Sequence, residues 1–447
     1  MDYIPTTEVE TQEMLRTIGA SSIEDLLSEI PSEMRCNTLE LPGGLSEPEV
    51  LALASSLAGR NRSLDALTSF LGFGAYHHLI PTVVEAIAAR GEWLTPYTPY
   101  QAEASQGTLQ MIYEFQTLVC ELMQMDLANA SLYDGASSLA EAAVMAVRMG
   151  RRPRVLVSET VHPHARQVVA TYLGGFPCVL QDIPSVNGVT DLEALATAMK
   201  DDVACVLMQQ PNVFGCLEPM AQAGELAHRS GALFVASVYP VSLGALSPPG
   251  AYGADIAVAE GRCLGSPIAY GGPGLGLFAT KQAFARRVPG RLVGCTLDRS
   301  GRRGFTLTLQ TREQHIRREQ ATSNICTNQG WLCVRATIFL SLLGPKGLTE
   351  LAELNAQRGH ALVERLESAG FRRAFEQPFF NECTMVPPEG LRHDTIERAL
   401  AKAGLLGGVP LRPWYPALGD ASVWCATELI SEERLDRVTE VLQSLSR

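Results

Sequence analysis

The sequence predicts an α/β fold: a large parallel-sheet domain followed by a smaller C-terminal α+β domain. Two observations carry this. Short, near-continuous apolar strands alternate with helices between residues 154 and 280, and after Asn328 that alternation gives way to long helices interleaved with two isolated strands. Composition sets the scale: 447 residues, 46 % apolar and 19 % charged, are enough for two or three lobes around a full core.

The elements follow in order. Residues 1–70 read as a helical arm punctuated by Pro31, Pro42-Gly43-Gly44 and Pro48, with Ser46 and Glu49 spaced as a capping box for a helix through Arg60. Residues 71–328 form the large domain. Its predicted strands are Arg154–Ser158, Cys178–Gln181, Val203–Met208, Leu233–Val238, Ala254–Val258 and Gly276–Thr280. Helices are expected at Leu139–Arg148, His162–Leu173, Asp191–Met199 and Met220–Ser230. Buried strands alternating with helices imply a parallel sheet covered on both faces. Residues 329–447 form the small domain, with helices at Trp331–Leu343, Leu348–Ala369 and Glu432–Leu445 and strands at Glu382–Val386 and Ser422–Thr427.

Charge and cysteine usage exclude several function classes. With 36 basic and 48 acidic side chains the net charge is −12, which gives no drive toward nucleic acid or anionic lipid. Met1–Glu13 lacks the basic segment of a signal or transit peptide, and apolar runs such as Ala336–Gly344 fall short of the ~20 residues of a membrane span. The eleven cysteines contain no C-x-x-C pair. A reduced, cytoplasmic protein with thiols in its core is expected.

Four motifs invite a chemical reading. Gly271-Gly272-Pro273-Gly274-Leu275-Gly276 resembles a nucleotide loop, but a strand follows it where the phosphate-binding fingerprint needs a helix. His162-Pro163-His164 and His77-His78 have no further ligand at metal spacing, so no metal is expected. Tyr133-Asp134-Gly135-Ala136-Ser137-Ser138 opens a helix and suits either an anion site or an ordinary cap. Tyr97-Thr98-Pro99-Tyr100-Gln101 stiffens two phenols and two polar side chains on a proline turn, as a binding wall or a structural cluster does.

Several segments together carry a resemblance. Gly74-Ala75-Tyr76-His77-His78, Tyr97–Gly107, Asn129–Gly135, Gly301–Phe305, Arg312–Glu319 and Ala321–Gln329 resemble the glycine cleavage system P-protein. In length and content the chain is similar to subunit 1 of the two-chain form, departing from the family pattern at His77, Pro96 and Ser137-Ser138. The resemblance implies a pyridoxal-phosphate-dependent transferase fold of the aspartate-aminotransferase type. It also implies the reaction, in which glycine is decarboxylated with release of CO2 and the aminomethyl group passes to the lipoyl arm of the H-protein.

Such a site needs a lysine for the cofactor and a carboxylate for its pyridinium nitrogen. The chain has four lysines: Lys200, Lys281, Lys346 and Lys402. Where the fold places the cofactor lysine the sequence reads Ala259-Glu260-Gly261-Arg262-Cys263, and where it places the carboxylate it reads Ser237-Val238-Tyr239. The resemblance therefore implies pyridoxal phosphate carried by a partner, P-protein subunit 2, in a heterodimer or α2β2 assembly. It further implies Tyr97, Thr98, Tyr100 and Gln101 on the substrate side, and Thr322 or Ser323 reaching the partner's cofactor phosphate. Arg312, Arg317 and Arg318 are anion candidates, or ion-pair partners of Glu313 and Glu319. A non-catalytic assembly subunit and a self-sufficient pyridoxal-phosphate enzyme are the alternative readings.

Overall fold

The computed structural model describes residues 5–36 and 40–445, so the outermost residues of the predicted arm and small domain lie outside it. The chain divides into two compact units, Met1–Arg62 and Ser63–Arg447. In the first, helix α1 (Glu8–Ile18) starts at a capping box in which the Glu10 amide donates to Thr7 Oγ1 and the Thr7 amide to Glu10 Oε2. It stops at Gly19, whose φ of 76° favours a residue without Cβ. Helix α2 (Glu47–Ala58) starts where the spacing predicts, with the Ser46 amide and hydroxyl both donating to Glu49 Oε2 at 2.8 and 2.6 Å. It buries none of its side chains, and Leu51, Leu53 and Leu57 are exposed.

The second unit is built on a seven-stranded sheet. In chain order its elements are α3 (Gln106–Met123), β1 (Leu127–Ala128), α4 (Gly135–Gly150), β2 (Arg154–Ser158), α5 (Pro163–Leu173) and β3 (Val179–Ile183). Then come α6 (Leu192–Ala198), β4 (Val203–Gln210), α7 (Met220–Arg229), β5 (Leu233–Val238), β6 (Ile256–Glu260) and β7 (Gly276–Thr280). The strand order is β1-β7-β6-β5-β4-β2-β3. Pairs β3/β2, β2/β4, β4/β5 and β5/β6 are parallel, as predicted. Alternate residues face opposite layers. Val155 and Val157 pack with Leu139 of α4 and Val169 of α5, while Leu156 and Val206 pack with Phe115 of α3 and Phe339 of the long helix described below.

Strand β7 runs antiparallel to β6 and β1. A parallel neighbour needs a crossover, usually helical, to carry the chain back to the starting edge. Residues 261–275 supply only short 3₁₀ turns and a return through the glycines, so the strand reverses. The glycine run is thus the strand–turn–strand that the sequence suggests. A hairpin, β8 (Leu292–Leu297) with β9 (Arg303–Thr308), follows.

The two helices expected after Asn328 are present and join directly in α8 (Gly330–Ser368), where Gly344 leaves the helical dihedrals (φ 59°, ψ −173°) before Pro345 and kinks the axis between them. Proline lacks the N–H that would continue the ladder, and glycine absorbs the dihedral change, so the axis bends without a loop. By length and composition α8 could cross a membrane, yet half of its most apolar stretch is buried in the unit. Its buried Arg335 bonds Glu85 Oε2 at 2.7 Å and Gly265 O at 2.9 Å, which marks α8 as a core helix. Beyond it, β10 (Arg372–Arg373), β11 (Glu382–Val386), α9 (His393–Lys402), β12 (Val409–Pro410), β13 (Ser422–Cys425) and α10 (Glu432–Leu445) build a four-stranded antiparallel sheet ordered β10-β11-β13-β12. Its core is Trp424, Met385, Leu400 and Leu435.

Candidate functional site

Parallel strands deliver their carboxyl ends to one rim, where α/β folds open a crevice. Here the rim collects Gln209 and Pro211 from β4 and its end, Ser237, Val238 and Tyr239 from β5, Glu260, Arg262 and Cys263 from β6, and Asp134–Ala136 from the start of α4 around a cavity of about 460 Å3. Phe73, Tyr76 and His162 close another side.

The start of α4 decides what this cavity can hold. Four amides at a helix start need acceptors, and a phosphate is one solution. This chain uses its own carboxylates. Asp134 Oδ1 accepts from the Ser137 amide at 2.7 Å, and Glu260 Oε2 accepts from the Gly135 amide at 3.0 Å. The other oxygen of Glu260 accepts from the amides of Leu275 at 2.9 Å and Arg262 at 3.0 Å. Burial raises the Glu260 carboxyl above its ordinary range, opposed by those amides. Of the two readings of the Tyr133–Ser138 motif, the geometry gives the cap.

The aromatic wall is braced by buried polar pairs. Phe73 and His162 rings lie 4.4 Å apart and Tyr76 and Tyr239 rings 4.3 Å apart. Tyr76 donates to Glu382 Oε2 at 2.7 Å and the Phe73 amide to its Oε1 at 2.5 Å. Burial pushes this carboxyl up to about 7. Tyr239 bonds His78, whose Nδ1 lies 2.8 Å from Glu428 Oε2, and Asn355 donates to the same oxygen. One histidine of each motif, His78 and His162, is taken up this way. His162 Nδ1 accepts from the His164 amide and Nε2 bonds Phe73 O, while burial lowers His162 to about 4. Among the described residues no cluster of three His, Cys, Asp or Glu could hold a metal.

The Tyr97–Gln101 turn is built the opposite way. Tyr97 is 84 % exposed and Gln101 is exposed. The Thr98 hydroxyl oxygen is buried with no hydrogen-bond partner. Tyr100 accepts from Arg291 Nη2 at 3.1 Å, with the guanidinium 5.5 Å from its ring centroid. Arg291, which the sequence reading did not single out, is buried and also donates to Cys326 O, Thr327 Oγ1 and Asn328 Oδ1. Through it the turn meets the Ala321–Gln329 block. Nothing in the Pro289-Gly290-Arg291 context signals this, because its partners lie 35 to 191 residues away in sequence.

The remaining candidates separate. Thr322 is half-buried, its amide donating to Arg312 O and its carbonyl accepting from Arg148 Nη1 at 2.7 Å. Ser323 is buried and accepts from the Ile325 amide, next to Glu141, whose carboxyl burial raises to about 7. Arg312 is buried and gives its guanidinium to the carbonyls of Leu309, Val288 and Gly290, a structural use rather than an open anion site. Arg317 and Arg318 are exposed, and Glu313 faces Arg291 and His315.

A mostly parallel seven-stranded sheet, a smaller antiparallel lobe and a crevice at the strand carboxyl ends define the aminotransferase-like fold of pyridoxal-phosphate enzymes. Solved structures agree at the level of fold: a sphingosine-1-phosphate lyase of Burkholderia pseudomallei (TM-score 0.67, 14 % identity, 93 % of this chain and 94 % of that one) and an alanine–glyoxylate aminotransferase of Nostoc (0.59, 17 %, 93 % and 99 %). The model of the glycine cleavage system P-protein family matches residues 1–442, and the chain belongs to that family. It is 48 % identical to a probable glycine dehydrogenase (decarboxylating) subunit 1 of Carboxydothermus hydrogenoformans over 99 % of both chains. It is 46 % identical to the corresponding protein of Moorella thermoacetica over the full length of both. A crystal structure of glycine decarboxylase (P-protein) of the glycine cleavage system in inhibitor-bound form superposes with a TM-score of 0.91 at 45 % identity, covering both chains fully.

The residues of this chain's own crevice do not fit pyridoxal phosphate. No lysine lines the cavity, Ser237 stands where a pyridinium carboxylate is needed, and at the helix start the Gly135 and Ser137 amides are held by Glu260 and Asp134. Lys281, the lysine next to β7, is instead paired with Asp255 at 2.6 Å.

Proposed function

We propose that this chain is subunit 1 of a two-subunit glycine dehydrogenase (aminomethyl-transferring) acting in the cytoplasm. Glycine loses CO2 there, and its aminomethyl group passes to the lipoyl arm of the H-protein. The relatives named subunit 1 imply a partner subunit. In this reading the partner carries pyridoxal phosphate on its own lysine, in a heterodimer or α2β2 assembly. The observation that supports it is Glu260, a carboxylate seated in the amide cradle of this chain's crevice. A subunit that filled its own anion site contributes to a neighbour's site instead.

What this chain adds is position and hydrogen bonding. Tyr97 and Gln101, both exposed, supply donors and acceptors to a substrate on the partner's face, with Thr98 between them in the same turn. Arg291 holds Tyr100 in line with the Cys326–Asn328 segment, so that the turn presents a fixed wall. Thr322, its backbone fixed by Arg148 and Arg312, points its hydroxyl chemistry to the partner's phosphate; Arg317 and Arg318 are the exposed cations of the same region.

The test is co-expression with the candidate partner and an assay of glycine–CO2 exchange with and without this chain. Exchange is expected only with both subunits, and borohydride reduction should fix the cofactor on a partner lysine. Undiminished exchange by the partner alone, or pyridoxyl-lysine at Lys200, Lys281, Lys346 or Lys402, would overturn the reading. An assembly-only subunit predicts that replacing Tyr97 and Thr322 leaves turnover unchanged.

A further inference from the structure

The cavity at the strand carboxyl ends has no part in the reaction proposed above, yet its lining carries matched chemistry. Its volume of about 460 Å3 lies in the range of small-molecule sites. One side is aromatic, with Phe73, Tyr76 and Tyr239. A second is acidic: a Cβ placed on Gly274 would lie 2.7 Å from Asp134 Cβ and 3.0 Å from Glu260 Oε2, so these two carboxylates share one corner. The third group is Arg262. Its Nε is buried without a hydrogen-bond partner, and the Glu260 oxygen nearest it, at 4.0 Å, is beyond hydrogen-bond reach. Glu260 already serves three amides, which leaves the guanidinium fork available to an incoming carboxylate. Both ring nitrogens of His162 are engaged, so it adds no open donor or acceptor.

We propose that this cavity binds a zwitterionic α-amino acid. Its carboxylate pairs with Arg262. Its ammonium lies between Asp134, whose Oδ1 alone is used by the helix cap, and the aromatic faces, which attract cations. A phosphorylated ligand is disfavoured, because its dianion would meet two carboxylates at a helix start whose Gly135 and Ser137 amides are already taken.

The test titrates the purified full chain, without its partner, with glycine, L-phenylalanine, acetate, methylammonium, inorganic phosphate and pyridoxal phosphate. At least one amino acid should bind saturably with Kd on the order of 1 mM, with acetate and methylammonium each roughly tenfold weaker. Arg262→Gln should weaken binding by roughly tenfold or more, and Asp134→Asn, which keeps a capping oxygen, by a smaller factor. Phenylglyoxal modification of Arg262 in the unaltered chain, mapped by mass spectrometry, should be slowed by the bound amino acid, a measurement that does not depend on either variant folding. Absence of saturable amino-acid binding, no protection of Arg262, or tighter binding of phosphate or pyridoxal phosphate would each overturn the inference. Tight pyridoxal-phosphate binding would also remove the support that Glu260 lends to the proposed function; the other results leave exchange by the assembled enzyme untouched, so the two proposals fail separately.

Discussion

Two parts of the second unit meet the same problem, polar groups in a binding position, and solve it differently. At the start of α4 the chain satisfies its amides internally with Asp134 and Glu260. At the Tyr97–Gln101 turn it leaves a phenol exposed and a buried hydroxyl without a partner. An exposed phenol bonds water until another molecule takes its place, whereas a buried hydroxyl without a partner costs free energy where it stands. At the helix start the Gly135 and Ser137 amides are closed by the chain's own carboxylates, whereas the turn presents the Tyr97 phenol to solvent.

Variants can break or sharpen this contrast. The largest expected effect is Tyr97→Phe in the assembled enzyme. If the phenol bonds the substrate as charge redistributes, its loss should cost about 2–4 kcal/mol, a ~30- to 1000-fold drop in exchange rate, with the melting temperature unchanged. Tyr100→Phe, whose hydroxyl already receives Arg291, should lose less. Wild-type turnover in both variants removes the turn from the active site.

Next comes the acid beneath the aromatic wall. Burial raises Glu382 to about 7, above its unfolded value, so its protonated form favours the folded state and that contribution is lost as pH rises through about 7. The stability of the wild type relative to Glu382→Gln should therefore fall between pH 5 and pH 8, by up to about 3 kcal/mol. Urea melts at both pH values measure it, and a pH-independent difference contradicts the assignment.

Glu260→Gln tests the closed corner itself. An amide offers one acceptor oxygen where the carboxylate serves three amides, so stability should drop by about 1–3 kcal/mol. A stability equal to wild type would show that the carboxylate is dispensable there. The smallest effect is expected for Thr322→Val in the assembled complex. One lost hydrogen bond to phosphate, about 0.5–1.5 kcal/mol, should speed pyridoxal-phosphate release roughly two- to tenfold. Unchanged release places Thr322 outside the phosphate site.

How much of this was legible in the sequence follows from the range of the interactions. Continuous apolar runs such as Val203–Met208 and Leu233–Val238 announced buried parallel strands, because a strand covered on both faces has no polar side to show. Local caps were legible too, with Asp191 receiving the amides of Glu193 and Ala194 as its position suggests. The boundary between the helices Trp331–Leu343 and Leu348–Ala369 was legible in Gly344-Pro345, whereas their direct junction at a kink was not, since local chemistry does not fix how two helices join. That no lysine follows β6 was visible in Ala259-Glu260-Gly261-Arg262-Cys263, but the contacts of Glu260 there were not. Glu260 meets Gly135 across 125 residues and Arg291 meets Tyr100 across 191, contacts that only the folded chain creates. Arg312 misled for the same reason: an arginine in a charged block looks available until three carbonyls are found around it.

The first unit carries a consequence for how a cell handles this protein. Helix α2 displays Leu51, Leu53 and Leu57, and α1 and the short helix Ile23–Leu26 after it display Val9, Met14, Ile18, Ile23 and Leu26, on a segment that buries almost nothing of its own. Apolar surface of that kind is what chaperones and proteases recognise in an orphaned chain. A copy with that surface uncovered therefore carries an aggregation liability that a covering polypeptide would remove.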